Sequence, residues 1–546
     1  MKEFSKYTRE KNLKEIPGTE FDLAIIGGGI NGAGIARDAA SRGMKVVLVE
    51  ADDFASGTSS RSSKLVHGGI RYLENFEFGL VFEALSERAK LFDLAPHLVH
   101  PLRFVLPVYK GARVGLNKLG MGMMLYDVLS LFEAPELNER LGAEEVKERL
   151  GSIDTKNLEG AYVYSDAYMD DDRLTIESLR SANDFGANIV NYVSADSAVY
   201  KDGKVVGLKC TDQLSGNKLE IKAKHFVSSV GPWTDIFCEK IFEDWKSRMR
   251  PTKGVHLTFA RERLQLDQAV VMVSNDEKRI VFGIPRHEMT IFGTTDTDFS
   301  GDPKDVKVTK EDVEYLLELI NEYFPDAKIQ ESDIVSSYCG VRPLVEDGSE
   351  TEGKTSREHE IWTDPRNFTI VAGGKYTTYR LIAEQAVEKL LESFTLEEQV
   401  QFDKSKSKQP LNTKATFSAM NRARAHKLEW QKDTGFSDKI LDKLIDRHGL
   451  ETSDLISDLE LKDVPGELEM WKLELKHAMK NTMCLSLRDY YFRRVPLFLS
   501  YQDHGEKYKQ ELAGLASQYL GSNVDDQIQQ LDGQMAHELS WRKDFT

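Results

Sequence analysis

Residues 21–50 read FDLAIIGGGINGAGIARDAASRGMKVVLVE, and the order of elements in this stretch decides the fold. Phe21 to Ile26 is a short apolar run of strand character, followed at once by glycines and then by a helix-compatible segment ending at Gly43. A β-branched run, Lys45 to Val49, completes a strand–turn–helix–strand unit. In the pattern Gly27-x-Gly29-x-x-Gly32 the first glycine permits a tight turn and the second lets backbone approach a pyrophosphate. The third allows close helix–strand packing, and the phosphates meet free backbone N–H groups at the helix N-terminus. Gly28 and Asn31 lie in the same turn and join the candidate cofactor contacts. Glu50 ends the second strand, 23 residues after Gly27, where a carboxylate can accept hydrogen bonds from ribose hydroxyls. A bare GxGxxG is weak evidence. The full ordered unit, closed by an acid, predicts a dinucleotide site.

The fingerprint alone does not choose between FAD and NAD. Three features lean towards FAD. The unit lies near the N-terminus of a 546-residue chain, and a Ser/Thr-rich loop, GTSSRSSK, follows Glu50 closely enough to run along the cofactor. Far downstream, residues 367–390 read NFTIVAGGKYTTYRLIAEQAVEKL. There a strand meets Gly373-Gly374 and then an amphipathic helix, giving a second helix N-terminus able to face an electron-rich flavin edge.

At this length two or three domains are expected. With 72 basic against 89 acidic residues the net charge is −17, which argues against nucleic-acid binding and confines any anion site to a local basic pocket. Cys210, Cys238, Cys339 and Cys484 form no CxxC pair, so neither a disulfide framework nor a zinc site is expected, and a reducing cytoplasmic setting fits. MKEFSKYTREKNLKE at the N-terminus has no apolar core of a secretory signal, and no apolar run is long enough to span a membrane. Leu116 to Phe132, LNKLGMGMMLYDVLSLF, reads first as a core or domain-interface helix and second as a surface dipping into a membrane interface. VVGLKC and KHFVSSVGPW are expected strands, and EDVEYLLELINEYF (311–324) an expected helix. Beyond the polar linker KSKSKQPLNTK the segments read as amphipathic helices, which places a domain boundary near residue 400.

Residues 59–73, SSRSSKLVHGGIRYL, pack four serines, a histidine, two glycines and three basic side chains into fifteen positions. With the neighbouring motifs, this segment makes the sequence recognisable. SSRSSKLVHGGIRYLE, HPLRFVLPVY, DDRLTIE, VSSVGPW, KGVHLTF, FGTTDTDF, CGVRPL, GGKYTTYR and SLRDYYFRRVPL occur in order along nearly the whole chain. The series resembles FAD-dependent glycerol-3-phosphate dehydrogenases of the bacterial respiratory type, within the D-amino-acid-oxidase-like flavoprotein superfamily. The resemblance implies an α/β fold with a Rossmann-like split FAD-binding domain, an α+β antiparallel-sheet substrate domain and an all-α C-terminal domain. The boundaries expected are 20–110, 150–250 and 350–398 for the first, 111–149 and 251–349 for the second, and 405–546 for the helical cap. It further implies oxidation of sn-glycerol 3-phosphate to dihydroxyacetone phosphate, with electrons passed to a quinone by a protein held peripherally at the inner face of the cell membrane. A homodimer stays open.

Oxidising a secondary alcohol on FAD needs a hydride acceptor, a group to take the hydroxyl proton and a clamp for the phosphate dianion. The flavin is the acceptor. His67 is the candidate base, since imidazole titrates near pH 6.5. A lone histidine is ordinarily structural, but this one adjoins two glycines and lies four residues before Arg71. Arg71, Arg342 and Lys375 are the candidate cations for the phosphate and the developing alkoxide. The family pattern adds His256 and Thr294 to the substrate cavity, with Asp296 beside Thr294. Read from the residues alone, His256 is first a strand histidine packed at the sheet and only second a cavity residue. The pattern also adds Ser59, Ser60, Ser63, Leu65, Val193, Gly231, Gly374 and Thr377 to the cofactor contacts, Val193 through its backbone at the adenine end and Thr377 with Thr378 at the flavin. The HGGIR part is expected to run under the flavin, its glycines leaving room for the ring. RRVPL (493–497) reads as a solvated face or internal ion pairs, with lipid or main-domain contact as the alternative. A glycerol-3-phosphate oxidase reducing O₂ is the rival within the fold. Related oxidases usually carry a longer insertion before the GGK motif, and the 32 residues from 343 to 374 favour the dehydrogenase.

Overall fold

Strand Glu20–Ile26 lies at the centre of an eight-stranded sheet in the computed structural model, which describes residues 1–73, 76–131, 133–274, 279–348, 358–459 and 465–545. It pairs in parallel with Val46–Val49 on one side and Lys218–Ser228 on the other. The sheet continues through Asn188–Val190 at one edge, and through Phe368–Gly373 and the antiparallel His359–Asp364 at the other. The chain thus leaves the central strand to one neighbour and returns much later to the other. Open α/β sheets bind ligands at the carboxyl ends of strands flanking such a switch point. Helices Ile30–Ser41, Asp171–Asp184 and Tyr379–Leu391 cover one face, and Thr234–Ile241 with an antiparallel extension covers the other. Both faces are therefore buried, which is why the central strands read as continuous apolar runs. A Cβ on Gly34 would come within 3.0 Å of Ala383 and Tyr379, so the fingerprint helix and the GGK helix touch almost backbone to backbone.

The second sheet has ten strands and packs on helix Lys310–Tyr323. It differs from expectation in one respect. Val99–Tyr109 and Leu158–Met169, expected with the cofactor domain, pair along their length in this sheet, and Leu65–Val66 joins them. The reason is pairing: Ala269 and Val270 take Phe104 and Val105 as parallel partners, a long-range choice that strand periodicity does not encode.

The helices from Phe417–Thr434 to Val524–Glu538 form a separate core around Trp471, Tyr490 and Leu512. Charges fasten this cap to the cofactor domain. Asp53 is fully buried; burial alone would raise its carboxyl, but Arg494 and Arg493 hold it well below the usual range. RRVPL thus makes internal ion pairs and main-domain contacts, with Arg494 Nη1 2.8 Å from Asp53. The polar linker is pinned rather than loose, because Arg37 donates to the carbonyls of Ser407 at 2.7 Å and Gln409 at 2.6 Å. Near the cap, His448, Glu451 and His477 bring possible ligand atoms within 4.8 Å of one another. Arg180 already pairs with Glu451 at 2.8 Å, so the group is an ion network across the domain boundary.

The methionine-rich segment forms helix Leu116–Leu129, and only one side of it is core. Met123 and Tyr126 are buried, whereas Met121 and Met124 are 66% and 68% exposed. Phe132, the last residue of the expected helix, lies outside the described residues. At the N-terminus, helix Lys6–Glu15 is tied to the cofactor sheet by Arg9 and Asn12, which donate to the carbonyls of Asn191 at 2.9 Å and Ile189 at 3.0 Å.

Candidate active site

The glycine fingerprint is dictated by clearance. Gly27 has φ +108°, and a Cβ there would lie 2.7 Å from the Ser229 carbonyl oxygen. A Cβ on Gly32 would lie 2.0 Å from the carbonyl oxygen of Gly27, so no side chain is tolerated. Gly29 caps helix Ile30–Ser41 without a side chain, and Ser59 Oγ accepts the N–H of Ile30 at 2.9 Å. Glu50 accepts from the backbone N–H groups of Gly28 at 2.7 Å and Asp52 at 2.9 Å. Burial raises its carboxyl to about 7, partly offset by those two hydrogen bonds. Asn31 Nδ2 donates to the carbonyl of Gly373 at 3.4 Å, closing the fingerprint against the GGK loop 342 positions away. In that loop Gly374 has φ +87°, and its Cβ would meet Ile382 at 2.5 Å. Two helix N-termini, a crevice no Cβ could enter and an acid at the second strand's end together fit a dinucleotide with an adenosine end and a flavin end. Gly231, with φ +58°, opens the turn after the Lys218–Ser228 strand beside this crevice. The N–H of Val193, expected towards adenine, donates to the Glu50 carbonyl at 2.7 Å and so holds the end of the second strand.

The serine half of the 59–73 segment is clamped. Lys64, left-handed at φ +55°, buries its ammonium against Asp171, and Ser62 Oγ donates to the same carboxylate at 2.6 Å. Lys64 Nζ also donates to the Ser60 carbonyl at 3.1 Å. Ser63 Oγ meets His256 Nε2 at 2.9 Å, and the His256 ring stacks on Tyr338 with centroids 4.8 Å apart. Burial first, then Arg342 and Lys64, push this imidazole well below its usual pKa, so it is neutral. His256 is therefore packed at the sheet, where it supports the serine loop. Leu65 is buried and pairs with Tyr168.

The HGGIR half is arranged differently. His67 donates its backbone N–H to Thr377 Oγ1 at 3.3 Å, and its half-buried ring stands edge-on to Phe282 at 6.4 Å. Lys375 Nζ lies 3.7 Å from the centre of the Tyr72 ring. The structure thus brings the HGGIR segment against the GGK loop, Thr377 meeting the His67 N–H and Lys375 meeting the Tyr72 ring. The two glycines are needed by the protein itself, not only by a flavin: a Cβ on Gly68 would lie 2.5 Å from Leu85 and from Tyr126, and one on Gly69 would lie 2.3 Å from Tyr72. Arg71 belongs to the turn Ile70–Leu73, and its side chain lies outside the described part of the structure.

Arg342 heads a second cluster. Its guanidinium donates to Asp296 at 2.9 Å, Thr294 Oγ1 at 2.8 Å and the Thr295 carbonyl at 3.0 Å. The structure sets Arg342 against the GTTDTD loop, where the arginine is shared with the Asp296 carboxylate.

Sequence reasoning missed the support beneath His67. Gly68 donates its N–H to Tyr126 Oη at 3.0 Å and to Asp166 Oδ1 at 3.3 Å, and Tyr126 donates to Asp166 Oδ2 at 2.8 Å. Arg88, fully buried, pairs with Asp166 at 2.7 Å. Burial raises the Asp166 carboxyl, and Arg88, Tyr126 and the Gly68 amide offset part of that rise. Arg88 shares its helix with Glu83, Glu87, Lys90 and Asp93, so no local signal marks it.

A family model described as FAD dependent oxidoreductase matches residues 22–386. The aerobic glycerol-3-phosphate dehydrogenase of Staphylococcus haemolyticus is 35% identical over 500 residues, covering 90% of this chain and 89% of that one. The aerobic glycerol-3-phosphate dehydrogenase of Bacillus subtilis is 40% identical over 406 residues, covering 74% and 73%. Among solved structures, the glycerol-3-phosphate dehydrogenase from Bacillus halodurans complexed with FAD superposes with a TM-score of 0.79 at 27% identity, covering 98% of both chains.

Proposed function

The chain belongs to the FAD dependent oxidoreductase family, and from that premise we propose that it oxidises sn-glycerol 3-phosphate to dihydroxyacetone phosphate and delivers the electrons to a quinone at a membrane surface. The observation that carries this reading is the packing of the His67–Tyr72 segment against Thr377 and Lys375 of the GGK loop, beside the fingerprint crevice. FAD, when bound, supplies the two-electron acceptor for the hydride on the substrate's secondary carbon. The fingerprint glycines, Asn31, Glu50 and the serine loop hold it.

His67 takes the proton leaving the substrate hydroxyl. Lys375 presents a point charge to the developing alkoxide or to the phosphate, and Arg71 is the further cation of the same segment. Arg342, Thr294 and Asp296 form the polar wall from which a phosphate would be clamped. No helix among the described residues is long and apolar enough to cross a membrane, so attachment at the inner face would be peripheral.

Mixing FAD-loaded protein with glycerol 3-phosphate in the absence of air tests the first half. Flavin bleaching is expected, with kcat/KM at least about a hundredfold above that for glycerol because the phosphate clamp is lost. No bleaching overturns the assignment. Reoxidation tests the second half: faster turnover with a soluble quinone analogue than with air is expected, and stoichiometric peroxide would make the protein an oxidase instead.

A further inference from the structure

The Arg342 guanidinium is engaged by the protein itself. Nη1 donates to Asp296 Oδ1 at 2.9 Å, to the Lys253 carbonyl at 3.3 Å and to Thr252 Oγ1 at 3.4 Å. Nη2 donates to Thr294 Oγ1 at 2.8 Å and to the Thr295 carbonyl at 3.0 Å. Both terminal nitrogens of the fork that would grip a phosphate bidentately therefore face protein acceptors. One of those acceptors is a carboxylate, so the Arg342–Asp296 pair carries no net charge.

The two sides of that pair differ in how easily they give way. Arg342 ends strand Ile334–Arg342, with Thr252 as its cross-strand partner, and its guanidinium lies over Gly254, where a Cβ would collide with Nη2 and with Thr294 Oγ1. Thr295 is buried, and its Oγ1 accepts the Val255 N–H at 3.1 Å, which fixes the carbonyl that Nη2 meets. Asp296 follows it in the short turn between strands Met289–Gly293 and Thr297–Asp298, and its carboxylate leaves the fork by side-chain rotation alone. The side chains of Arg342 and Asp296 are 18% and 13% exposed, so a solute reaches both. A phosphate monoester approaching them carries nearly two negative charges at neutral pH, and like charges cannot share one guanidinium without repulsion. We propose that Asp296 is a specificity-determining residue of this site: its carboxylate holds the Arg342 fork until the substrate phosphate displaces it. The inference rests on the reading above in which Arg342 clamps that phosphate. Binding is then an exchange of one anion for another. A free phosphate, or the phosphate of the product, gains little from the exchange, and an uncharged polyol cannot drive it. The substrate gains more because its hydroxyl end also meets the His67 segment. Selection thus uses a repulsive element beside the attractive one.

The test titrates FAD-loaded protein with inorganic phosphate, which binds without being oxidised, and reads affinity from the phosphate dependence of the melting temperature. Asp296→Asn keeps the size of the side chain and an acceptor oxygen for Arg342 but removes the charge. It should bind phosphate about tenfold more tightly than the wild type. With glycerol 3-phosphate and a dye acceptor, the same variant should show a lower KM and also a lower kcat, because the product leaves more slowly. Thr294→Val removes a neutral acceptor and should weaken phosphate binding instead. Asp298→Asn removes a carboxylate two positions on, paired with Arg250 at 3.1 Å, and should leave phosphate affinity unchanged. The gain from Asp296→Asn should vanish in an Arg342→Gln background. Unchanged or weaker phosphate binding by Asp296→Asn would overturn the proposal and make Asp296 a residue that only orients the arginine. An equal gain in Asp298→Asn would also overturn it, by tracing the effect to overall charge. Arg342→Gln separates the two levels. If it leaves phosphate affinity intact, the clamp falls and the proposal with it. If it abolishes phosphate binding while Asp296→Asn gains none, the clamp stands and the proposal alone falls.

Discussion

Ser59–Lys64 and His67–Tyr72 are neighbours in the chain but are held by different means. In the first, a buried ammonium meets a buried carboxylate, Lys64 on Asp171, and the hydroxyls of Ser62 and Ser63 bind Asp171 and His256. In the second, the segment is held directly only through backbone N–H groups handed to Thr377, Tyr126 and Asp166, with glycines where no Cβ fits, and the buried ion pair, Arg88 on Asp166, stands one step behind. A buried ion pair deprived of one partner is costly, whereas exchanging one hydrogen bond in a network costs little. The serine half should therefore govern stability and cofactor retention, and the histidine half should govern rate.

The sharpest way to break that division is His67→Ala. Single-turnover flavin reduction should fall by about 10²–10⁴-fold while FAD content and melting temperature hold, and undiminished reduction would remove His67 as the base. Asp171→Ala should act the other way. Urea unfolding should show a loss of about 3–5 kcal/mol and the purified protein should carry less FAD, because Lys64 is left charged and unpaired. A variant that keeps both would show that the serine half is not the anchor. Tyr126→Phe sharpens the comparison within the rate half. Removing one hydroxyl from the Gly68–Asp166 network should cost about 1–2 kcal/mol, seen as a several-fold drop in kcat with KM for substrate and FAD content unchanged. If FAD content drops instead, Tyr126 serves the cofactor.

The smallest effect concerns pH. With its carboxyl raised from 4.5 to about 7, Glu50 binds a proton in the folded, FAD-free protein that the unfolded chain releases. Its contribution to stability is thus full below about pH 4.5 and falls as pH rises towards 7. Ribose hydroxyls donate best to the ionised form, so FAD affinity should increase between about pH 5 and 7 and level off above, and Glu50→Gln should flatten the profile. An unchanged profile in that variant would locate the titrating group elsewhere.

Legibility in the sequence followed locality. The fingerprint was readable because a turn, a helix start and a strand end each leave a mark within a few residues, and Gly27, Gly32 and Glu50 stand where those marks place them. RRVPL and the methionine-rich segment were ambiguous in the same way, each open to both interior and membrane. The structure separated them. Arg493 and Arg494 turn inward onto Asp53, which lies some 440 positions upstream, whereas Met121, Met124 and Val128 turn outward. Neither segment contains its own answer, because the partner that decides it is elsewhere in the chain. The same holds for Asp166 and Arg88, ordinary residues until Gly68 arrives between them and Tyr126.

The sequence by itself determined the nucleotide crevice, the order of the motifs and the family, since these rest on backbone stereochemistry and on spacing that any fold of this chain must respect. The tertiary structure decided which sheet claims Val99–Tyr109 and Leu158–Met169, which cations are paired, and why HGG needs both its glycines. Those outcomes depend on long-range pairing and on the space that distant side chains leave, and neither quantity is written in a local stretch of residues.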